Sequence, residues 1–341
     1  MTNEISVNGR CFTRRITGVE RYAHEISMRM KPNPRIIVPD KALGQVSGHL
    51  WEQVILPMKI QKNEILWSPA NAGPWTISNQ VITIHDASVF DHPEWFRPAF
   101  AAWTRLSWKI LAKRVKLIIT VSNFSRDRLK VNLKISDEKI CVIPNGVGKP
   151  FEAQTQNSIN AVREKYRIGK PYFLFVGTHE PRKNLGILVQ AWKQAQINDH
   201  LLIITGTKGI VFAEAISKPE ESDNIKWLGY ISDTDLPALY AGASAAIVPS
   251  LYEGFGLTAL EAMACGAPVI ASSTTAFPET VGNAALFFDP HNANELTKAV
   301  KNLMENKSLA NTLRERGLQR AKIFTWDESA RKISRILSRV S

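Results

Sequence analysis

Short runs of apolar residues alternate along the chain with segments whose apolar residues recur at helical spacing. Such runs indicate buried strands, because they are too short to be helices of their own. In the first half the clearest strands are Arg35–Val38, Ile65–Trp67, Val81–Ile84, Leu117–Val121 and Lys139–Ile143. Strands that alternate with helices are typical of α/β domains with parallel sheets. We therefore predict two doubly wound domains, residues 1–150 and 151–322, with 152–160 as linker and a final helix over Trp326–Val340.

A strand, a glycine turn and a helix follow one another in the second half. The apolar run Ala243–Pro249 predicts the strand, and Gly254 and Gly256 permit a tight turn with close approach of a ligand to the backbone. From Leu257 the residues favour a helix, and Gly266 suits the left-handed position that ends one. The free N–H groups and the positive end of the helix dipole favour an anion such as phosphate.

Two carboxylates flank this turn, Glu253 before it and Glu261 in the helix. They would repel a phosphate unless they accept hydrogen bonds from sugar hydroxyls, so the ligand we infer is a phosphate that carries sugars. One alternative is a dinucleotide site, which requires an acidic residue about 20 positions further on. The next strand, Pro268–Ser272, is followed by serine and threonine instead, which argues against a nicotinamide cofactor. A purely structural turn is the other alternative.

A second group of polar residues follows the strand Tyr172–Gly177. Arg182 and Lys183 precede the amphipathic helix Leu185–Ala195, at a helix start where the dipole disfavours positive charge. A solvated basic pair is one interpretation. However, the pair lies in a loop after a parallel strand, where open α/β sheets bind ligands. The planar fork of arginine and the point charge of lysine together suit a diphosphate.

In this order and spacing the motifs resemble glycosyltransferase family 4, the retaining enzymes of GT-B fold, over nearly the whole chain. The chain looks most like the bacterial polysaccharide hexosyltransferases, including those similar to mannosyltransferase B. The matching segments are Glu253-x7-Glu261 with Gly-Phe-Gly, the Gly177-Thr178…Pro-Arg182-Lys183-Asn184 loop, Pro144-Asn145-Gly146-Val147, Thr17-Gly18…Arg21 and Phe324-Thr-Trp326.

The resemblance implies two Rossmann-like domains that face a cleft, the first for the acceptor and the second for the nucleotide sugar, and a last helix that returns to the first domain. The catalytic residues that it implies are Glu253, Arg182, Lys183 and His85. The donor-binding residues that it implies are Gly18, Asp86, Gly177, Thr178, Arg182, Lys183, Tyr230, Glu253, Gly254, Phe255, Gly256, Leu257, Thr258 and Glu261. His85 and Asp86 end the strand Val81–Ile84, and structural roles for both, such as capping a turn, remain alternatives.

The activity implied is retaining transfer of a hexose from a nucleotide diphosphate sugar to a glycan or a lipid-linked glycan, without metal or cofactor. UDP-glucose is the favoured donor and GDP-mannose the close second. In the family, cations such as Arg182 and Lys183 balance the charge on the leaving phosphate, and Glu261 holds the ribose. Alternatives are an epimerase or hydrolase of the same fold, and a catalytically silent sugar-nucleotide-binding protein.

The uneven distribution of charge along the chain suggests a second binding partner. The net charge is +12, and all of it lies in residues 1–170, although no nucleic-acid module is recognisable there. The stretch 95–114 mixes aromatic residues and cations on a predicted helix, which favours an anionic membrane surface over nucleic acid; a solvated basic edge is the alternative. Three cysteines without metal or redox spacing, and no secretory or membrane-spanning segment, predict a cytoplasmic protein, peripheral at the inner face of the membrane.

Overall fold

Two compact units make up the chain. The computed structural model describes residues 4–14, 16–207, 211–212 and 223–340. The first unit holds the residues up to Pro93, then Pro98–Gly146 and the segment from Phe324 onward. The second holds Glu94–Arg97 and Val147–Ile323. None of the described helices is both long and apolar enough to cross a bilayer.

The first unit contains a six-stranded parallel sheet. Its strands are β1 Ile5–Asn8, β2 Arg35–Ile37, β3 Ile65–Ser68, β4 Gln80–Thr83, β5 Leu117–Thr120 and β6 Ile140–Val142, in the order β2-β1-β3-β4-β5-β6. Four of them confirm strands that the sequence predicts, to within a residue or two, and β2 is shorter than expected by its last residue. The first strand, β1, is buried throughout, but the sequence does not predict it, because only Ile5 and Val7 of its four residues are apolar.

Helices connect these strands. They are α1 Gly18–Arg29, α2 Gln45–Leu50, α3 Leu56–Lys59, α4 Ser88–Asp91, α5 Pro98–Arg114 and α6 Asn123–Leu133, and a π-helical turn, Trp51–Ile55, joins α2 to α3. Ser122 caps α6 by accepting a hydrogen bond from the Ser125 N–H. The predicted helix in the stretch 95–114 begins only at Pro98.

The second unit contains the other six-stranded parallel sheet. Its strands are β7 Tyr172–Val176, β8 Leu201–Thr205, β9 Ile225–Gly229, β10 Ala245–Val248, β11 Val269–Ser272 and β12 Ala285–Phe288, in the order β12-β11-β10-β7-β8-β9. The chain leaves β7 toward β8 on one side, whereas β10 pairs with β7 on the other. The order therefore reverses between β7 and β10, and this is the position at which open parallel sheets bind ligands.

The helices of this unit include the two that the glycine and basic motifs predict. They are α7 Gln156–Lys165, α8 Leu185–Ala195, α9 Leu236–Ala241, α10 Leu257–Ala264, α11 Phe277–Val281, α12 Ala293–Glu305 and α13 Lys307–Ala321. Helix α8 has the predicted bounds, and Gly266 adopts the predicted left-handed conformation (φ +80°) just after α10. The linker prediction is wrong for half of its length, because residues 156–160 begin α7, which Thr155 caps.

The last helix, α14 Trp326–Val340, belongs to the first unit, as the resemblance implies. The Ser329 hydroxyl donates to the carbonyl oxygen of Pro144 at 2.7 Å, and the Trp326 ring lies 6.3 Å from that of Tyr22. At Gly146 an added Cβ would stand 2.1 Å from the Trp326 nitrogen. The Pro-Asn-Gly-Val motif therefore supplies the close approach that lets α14 begin against this unit.

Candidate active site

The strand order brings two loops of the second unit together. The loop after β7 carries Arg182 and Lys183, and the loop after β10 carries Glu253. Because β7 and β10 are neighbours in a parallel sheet, both loops leave the same edge. The Leu251 N–H donates to the Arg182 carbonyl oxygen at 2.8 Å, which fixes one loop against the other.

Glu253 is held at the centre of a cluster of donors. The Lys183 Nζ lies 2.5 Å from its Oε1, and the Arg182 Nη1 lies 3.0 Å from its Oε2. The Ser250 hydroxyl donates to Oε1 at 2.8 Å. Glu253 and Lys183 are buried, and Ser250 is completely so. The two cations and the carboxylate that the sequence places 70 residues apart thus meet in one cluster, here called the Glu253 cluster.

Arg182 is fixed by partners on two sides. Its Nη1 also donates to the Tyr252 carbonyl oxygen at 3.1 Å, and its Nε forms an ion pair with Glu180 Oε1 at 2.6 Å. Ser250 and Glu180 are members of this site that sequence reasoning missed. Only their positions in the sequence could have indicated them, since Glu180 lies two residues before Arg182 and Ser250 lies three residues before Glu253.

Charge balance sets the protonation state of Glu253. Burial raises the pKa of its carboxyl group. The charges of Lys183 and Arg182 lower this pKa by more, and hydrogen bonds from Lys183 and Ser250 lower it again, so that the net result is a pKa of about 2. The carboxylate is therefore ionised at neutral pH. It can orient cations and accept hydrogen bonds, but it is a poor proton donor or acceptor.

Glycines shape the walls of this site. The stem of Lys183 packs 3.6 Å from where a Cβ of Gly177 would stand. Gly256 caps the start of α10 with φ +93°, and an added Cβ would meet the Phe277 ring at 2.9 Å. The tight turn predicted here is confirmed, and it needs glycine at position 256 for both conformational and steric reasons.

The other predicted donor-binding residues of the second unit lie along the same strand ends. Gly254 and Phe255 are buried in the turn before α10, and Leu257, Thr258 and Glu261 belong to α10 itself, with Glu261 buried on its inner side. Thr178 directly follows Gly177 after β7. Tyr230 follows β9, and its side chain is 54% exposed.

A short segment that arises between α4 and α5 also belongs to the second unit. Phe96 forms an antiparallel bridge with Phe212, and the Arg97 N–H donates to the Val211 carbonyl oxygen at 3.1 Å. The Trp95 ring lies edge-on to the ring of Tyr252, with 6.4 Å between their centroids. Tyr252 directly precedes Glu253 in the chain. The sequence placed these aromatic residues on the helix predicted in the stretch 95–114, which is wrong for Trp95 and Phe96, since neither lies in α5. Phe96 is also buried.

His85 is buried in the first unit, after β4. Its Nε2 lies 2.9 Å from the Pro69 carbonyl oxygen, and its ring packs edge-on to Tyr22 at 4.7 Å. A carbonyl only accepts, so Nε2 carries the proton. Burial lowers the pKa of His85 more than Pro69 and Asp86 raise it, and the ring is therefore neutral at pH 7.

Two further predicted residues of the first unit have structural partners. The Asp86 carboxylate accepts hydrogen bonds from the Ser88 N–H at 2.8 Å and the Ser88 hydroxyl at 2.5 Å, which starts α4. Asp86 thus caps a turn, the structural alternative that the sequence left open. Gly18 is the first residue of α1, where Thr17 and Glu20 form a capping box around the helix start.

No group of three or more histidine, cysteine, aspartate or glutamate side chains that could hold a metal ion occurs among the residues that the structure describes.

Two family descriptions match this chain. Residues 158–320 match the family described as Glycosyl transferases group 1, and residues 64–148 match the family described as Glycosyltransferase Family 4. The first range contains the Glu253 cluster with α10, and the second contains His85 and Asp86.

Among similar proteins, the O-antigen chain mannosyltransferase B of Escherichia coli is 33% identical over 273 residues, which cover 78% of this chain and 72% of that protein. The O-antigen chain mannosyltransferase RfbU of Salmonella typhimurium is 31% identical over 229 residues, which cover 67% and 61%. Among solved structures, HepE of Anabaena in complex with UDP and glucose superposes with a TM-score of 0.79 at 16% identity, covering 99% of this chain and 100% of that one. This last likeness establishes the fold.

Proposed function

The chain belongs to glycosyltransferase family 4, with the GT-B fold, and we propose that it transfers a hexose from a nucleotide diphosphate sugar to a growing surface polysaccharide. The observation that carries the proposal is the Glu253 cluster at the point where the strand order of the second sheet reverses. Two fixed cations next to an ionised carboxylate match a ligand in which a diphosphate is joined to a sugar.

We propose a role for each member of the cluster. Lys183 carries three N–H donors and Arg182 five, so that both can hold Glu253 and still donate to a diphosphate. They would stabilise the negative charge that develops on the leaving phosphate. Glu253 keeps both cations in place and, together with the backbone N–H groups of Phe255–Leu257, would accept and donate hydrogen bonds at the sugar. Glu261 would hold the ribose hydroxyls.

We propose retention of anomeric configuration, by displacement on one face of the sugar. The bond from the anomeric carbon to the diphosphate oxygen breaks, and the acceptor hydroxyl oxygen forms the new bond on the same face. The acceptor proton passes to the leaving phosphate, so no side-chain base is required. This fits the ionised Glu253, whose pKa of about 2 makes it a weak base. The same charge balance supports a metal-free reaction, which is part of the proposal.

The remaining roles are proposed on family resemblance and local chemistry. Neutral His85 would contact hydroxyls of the donor sugar, which suits a ring that carries its proton on Nε2. The Gly18 backbone lies at the start of α1, where N–H groups suit a diphosphate. Tyr230 and the backbone around it would border the base. We propose a donor contact for Asp86 as well, since both of its hydrogen bonds to Ser88 fall on Oδ1 and are compatible with it.

Mannose is the donor sugar that we favour, with GDP-mannose as the donor to test first. The support is that both relatives described above, at 33% and 31% identity, are named mannosyltransferases of O-antigen chains. The sequence favoured UDP-glucose, and that donor is the direct competitor. The acceptor that these names support is a polysaccharide chain or its lipid-linked precursor.

A donor panel tests this function. Thermal shift with GDP, UDP, GDP-mannose and UDP-glucose identifies the nucleotide, and transfer of radiolabelled sugar to an O-antigen-type acceptor identifies the activity. We expect stabilisation by one nucleotide class and a product whose anomeric configuration, read by NMR, equals that of the donor. Release of free sugar or of an altered sugar nucleotide without acceptor would indicate the hydrolase or epimerase instead. Binding without turnover would indicate a silent binding protein.

A further inference from the structure

Three aromatic side chains of the first unit form one surface that is partly open to solvent. The Trp103 ring of α5 lies 5.0 Å from the Trp75 ring and 5.4 Å from the His49 ring of α2, measured between centroids. Aromatic pairs pack at such distances. All three side chains are half-buried, whereas a tryptophan that only fills the core, such as Trp67 in β3, is buried completely. These three rings are called the aromatic surface below.

The backbone that carries Trp75 is held in place by side chains from several elements. Residues 69–75 form the loop after β3. Four carbonyl oxygens of this loop accept side-chain hydrogen bonds at 2.6–3.1 Å, namely those of Pro69, Asn71, Gly73 and Pro74, from His85, Trp108, Gln53 and Gln80 in that order. The Trp75 N–H donates to the Gln53 side chain at 2.9 Å, and its indole N–H donates to the Ser107 hydroxyl at 3.0 Å. The loop is therefore fixed before any ligand binds, as a binding loop on a rigid scaffold requires.

The same loop lies next to His85. Because β3 and β4 are parallel neighbours, the loop and His85 leave the same edge of the first sheet. The Asn71 side-chain oxygen connects them by accepting a hydrogen bond from the His85 backbone N–H at 2.9 Å. Asn71 also adopts the left-handed conformation (φ +61°), which is uncommon outside glycine and which asparagine tolerates. The loop that carries Trp75 thus adjoins the residue whose proposed role is contact with the donor sugar.

The aromatic surface offers hydrogen-bond donors that the fold does not use. The Trp103 indole N–H forms no hydrogen bond with any residue in the described part of the chain. The Nδ1 atom of His49 lies 3.1 Å from the Arg10 Nη1. Arginine can only donate, so Nδ1 accepts and the ring carries its proton on Nε2. Among the described residues this second N–H also has no acceptor.

The chemistry of this surface suits a sugar ring. One side of a pyranose carries C–H groups, which pack against the electron-rich face of an indole, and its hydroxyl oxygens accept hydrogen bonds from neighbouring N–H groups. The two indoles are uncharged, and an imidazole that accepts at Nδ1 is uncharged too. The cation in contact with His49, Arg10, is buried and forms an ion pair with Glu52 at 2.9 Å. Neutral aromatic groups favour a neutral saccharide over a diphosphate, which arginine and lysine bind.

We propose that the aromatic surface binds a pyranose ring of the acceptor glycan. The enzyme thus recognises the neutral saccharide chain that it extends, and not only the diphosphate of a lipid carrier. The inference rests on the proposed function, because it concerns the acceptor of that reaction. None of its residues belongs to the Glu253 cluster, so the two can be tested separately.

Saturation-transfer NMR of the full chain, without donor, tests the binding. The probes are unphosphorylated tetrasaccharides of α-linked mannose and of α-linked glucose, one for each donor under comparison. Wild-type protein should transfer saturation to the ring protons of at least one of them. Trp75→Leu/Trp103→Leu keeps apolar side chains but removes both indoles, and it should bind about tenfold more weakly or worse. Trp103→Phe keeps an aromatic face and should lose much less.

Kinetics separates a role in acceptor binding from a structural role. In the transfer assay the double leucine variant should raise KM for the acceptor about tenfold, with KM for the donor and kcat at saturating acceptor unchanged. Nucleotide thermal shift and circular dichroism should match wild type. The matched control is Phe90→Leu, a half-buried aromatic residue of the same unit whose ring packs against Trp108, and it should bind the tetrasaccharides like wild type. Trp103→Leu alone serves if the double variant does not fold.

Three results would overturn the proposal. Wild-type protein that binds neither tetrasaccharide leaves the aromatic surface with a structural role only. Equal loss in Phe90→Leu and in the leucine variants means that the effect is not specific to these rings. Binding that requires a phosphate on the saccharide makes the lipid diphosphate the recognised group. A protein that binds the tetrasaccharides through these rings but transfers no sugar would contradict only the proposed function.

Discussion

Glu253 links stability and function at the scale of one carboxylate. Its two oxygens face Lys183 and Arg182, and none of the three is well exposed. Removing one partner from a buried ion pair is costly because the remaining charge is left uncompensated. The cluster is therefore expected to hold the two loops together even without a ligand.

We expect Glu253→Gln to lower the free energy of unfolding of the second unit by ~3–5 kcal/mol at pH 7. The loss should shrink with acid. The unfolded carboxyl titrates near pH 4.3 and the folded one near 2, so the wild-type advantage is complete above the first value and disappears as pH falls to the second. Urea unfolding across this pH range measures it. Glu305→Gln, an exposed residue of α12, is the control and should change stability by less than ~0.5 kcal/mol.

Substitution of Glu261 should weaken donor binding much more than it slows catalysis. Hydrogen bonds to ribose hydroxyls are similar in ground and transition states, so Glu261→Ala should raise KM for the donor far more than it lowers kcat. The expected loss is ~1.5–3 kcal/mol, the value for hydrogen bonds to a charged group. Because Glu261 is buried in α10, Glu261→Gln should be measured beside it as the variant that keeps the side-chain volume. A fall in kcat with KM unchanged would contradict the ribose role.

At this scale the sequence identified the residues but not their pairing. Arg182, Lys183 and Glu253 were identified because glycine turns and strand ends mark them. Ser250 and Glu180 complete the cluster through the geometry of their side chains, and the spacing of residues in the sequence does not predict that geometry. Asp86 is a different case, since a carboxylate after a strand fits a turn cap as well as a ligand contact. The structure shows the cap, and the ligand contact stays a proposal.

Among the elements, α14 depends on a contact that only glycine permits. At Gly146 an added Cβ would stand 2.1 Å from the Trp326 nitrogen and 2.3 Å from the Thr325 carbonyl carbon, both of them backbone atoms that cannot rotate away. The start of α14 must move if this position carries a side chain. The helix would then lose its fit against Tyr22 and Pro144.

We therefore expect Gly146→Ala to destabilise the first unit by ~1–3 kcal/mol or more, the usual cost of overpacking. Thermal unfolding followed by circular dichroism measures it. The matched control is Gly186→Ala in α8, where nothing lies within 4 Å of the added Cβ. That control should be neutral or stabilising by ~0.5–1 kcal/mol, as expected of glycine within a helix. Equal effects of the two substitutions would show that the approach of α14 at Gly146 does not limit stability.

Elements with strong periodicity were predictable, and short or polar ones were not. Helix α8 matches its predicted bounds because its apolar residues recur at helical spacing between a capping position and a break. Helix α7 was mistaken in part for a linker, since its first turns are polar and only one of its residues is buried. The π-helical turn had no signal at all, because its sequence is compatible with an ordinary α-helix.

At the scale of the whole molecule, the proposed chemistry needs no metal. In the proposed mechanism Arg182 and Lys183 would supply the positive charge that a divalent cation provides in other enzymes. Transferase activity should therefore survive excess EDTA without measurable loss. The check is an initial-rate assay with the donor and acceptor that the panel identifies, with and without chelator. Complete loss that magnesium or manganese restores would count against the proposed mechanism.

The other whole-molecule property is the uneven charge, whose +12 excess lies in residues 1–170. In α5 the tryptophan side chains contact other residues of the first unit. Trp108 is buried and its indole N–H donates to the Asn71 carbonyl oxygen, and Trp103 packs against Trp75 and His49. Its cations remain at the surface, with Lys109 and Lys113 exposed and Arg105 over the Phe90 ring at 5.5 Å. This helix can therefore contribute charge to a membrane surface, but little apolar contact.

Any binding of α5 to a membrane should consequently depend on salt. Replacing Arg105, Lys109 and Lys113 by Gln removes attraction worth about 1 kcal/mol per cation near an anionic surface, an effect that fades beyond roughly 8–10 Å at physiological salt. Binding to anionic vesicles should weaken, and what remains should depend less on salt. Donor hydrolysis without acceptor should hardly change, because these residues lie outside the Glu253 cluster. If wild-type protein does not bind anionic vesicles even at low salt, or the variant binds them as wild type does, the basic edge of α5 is a solvated surface.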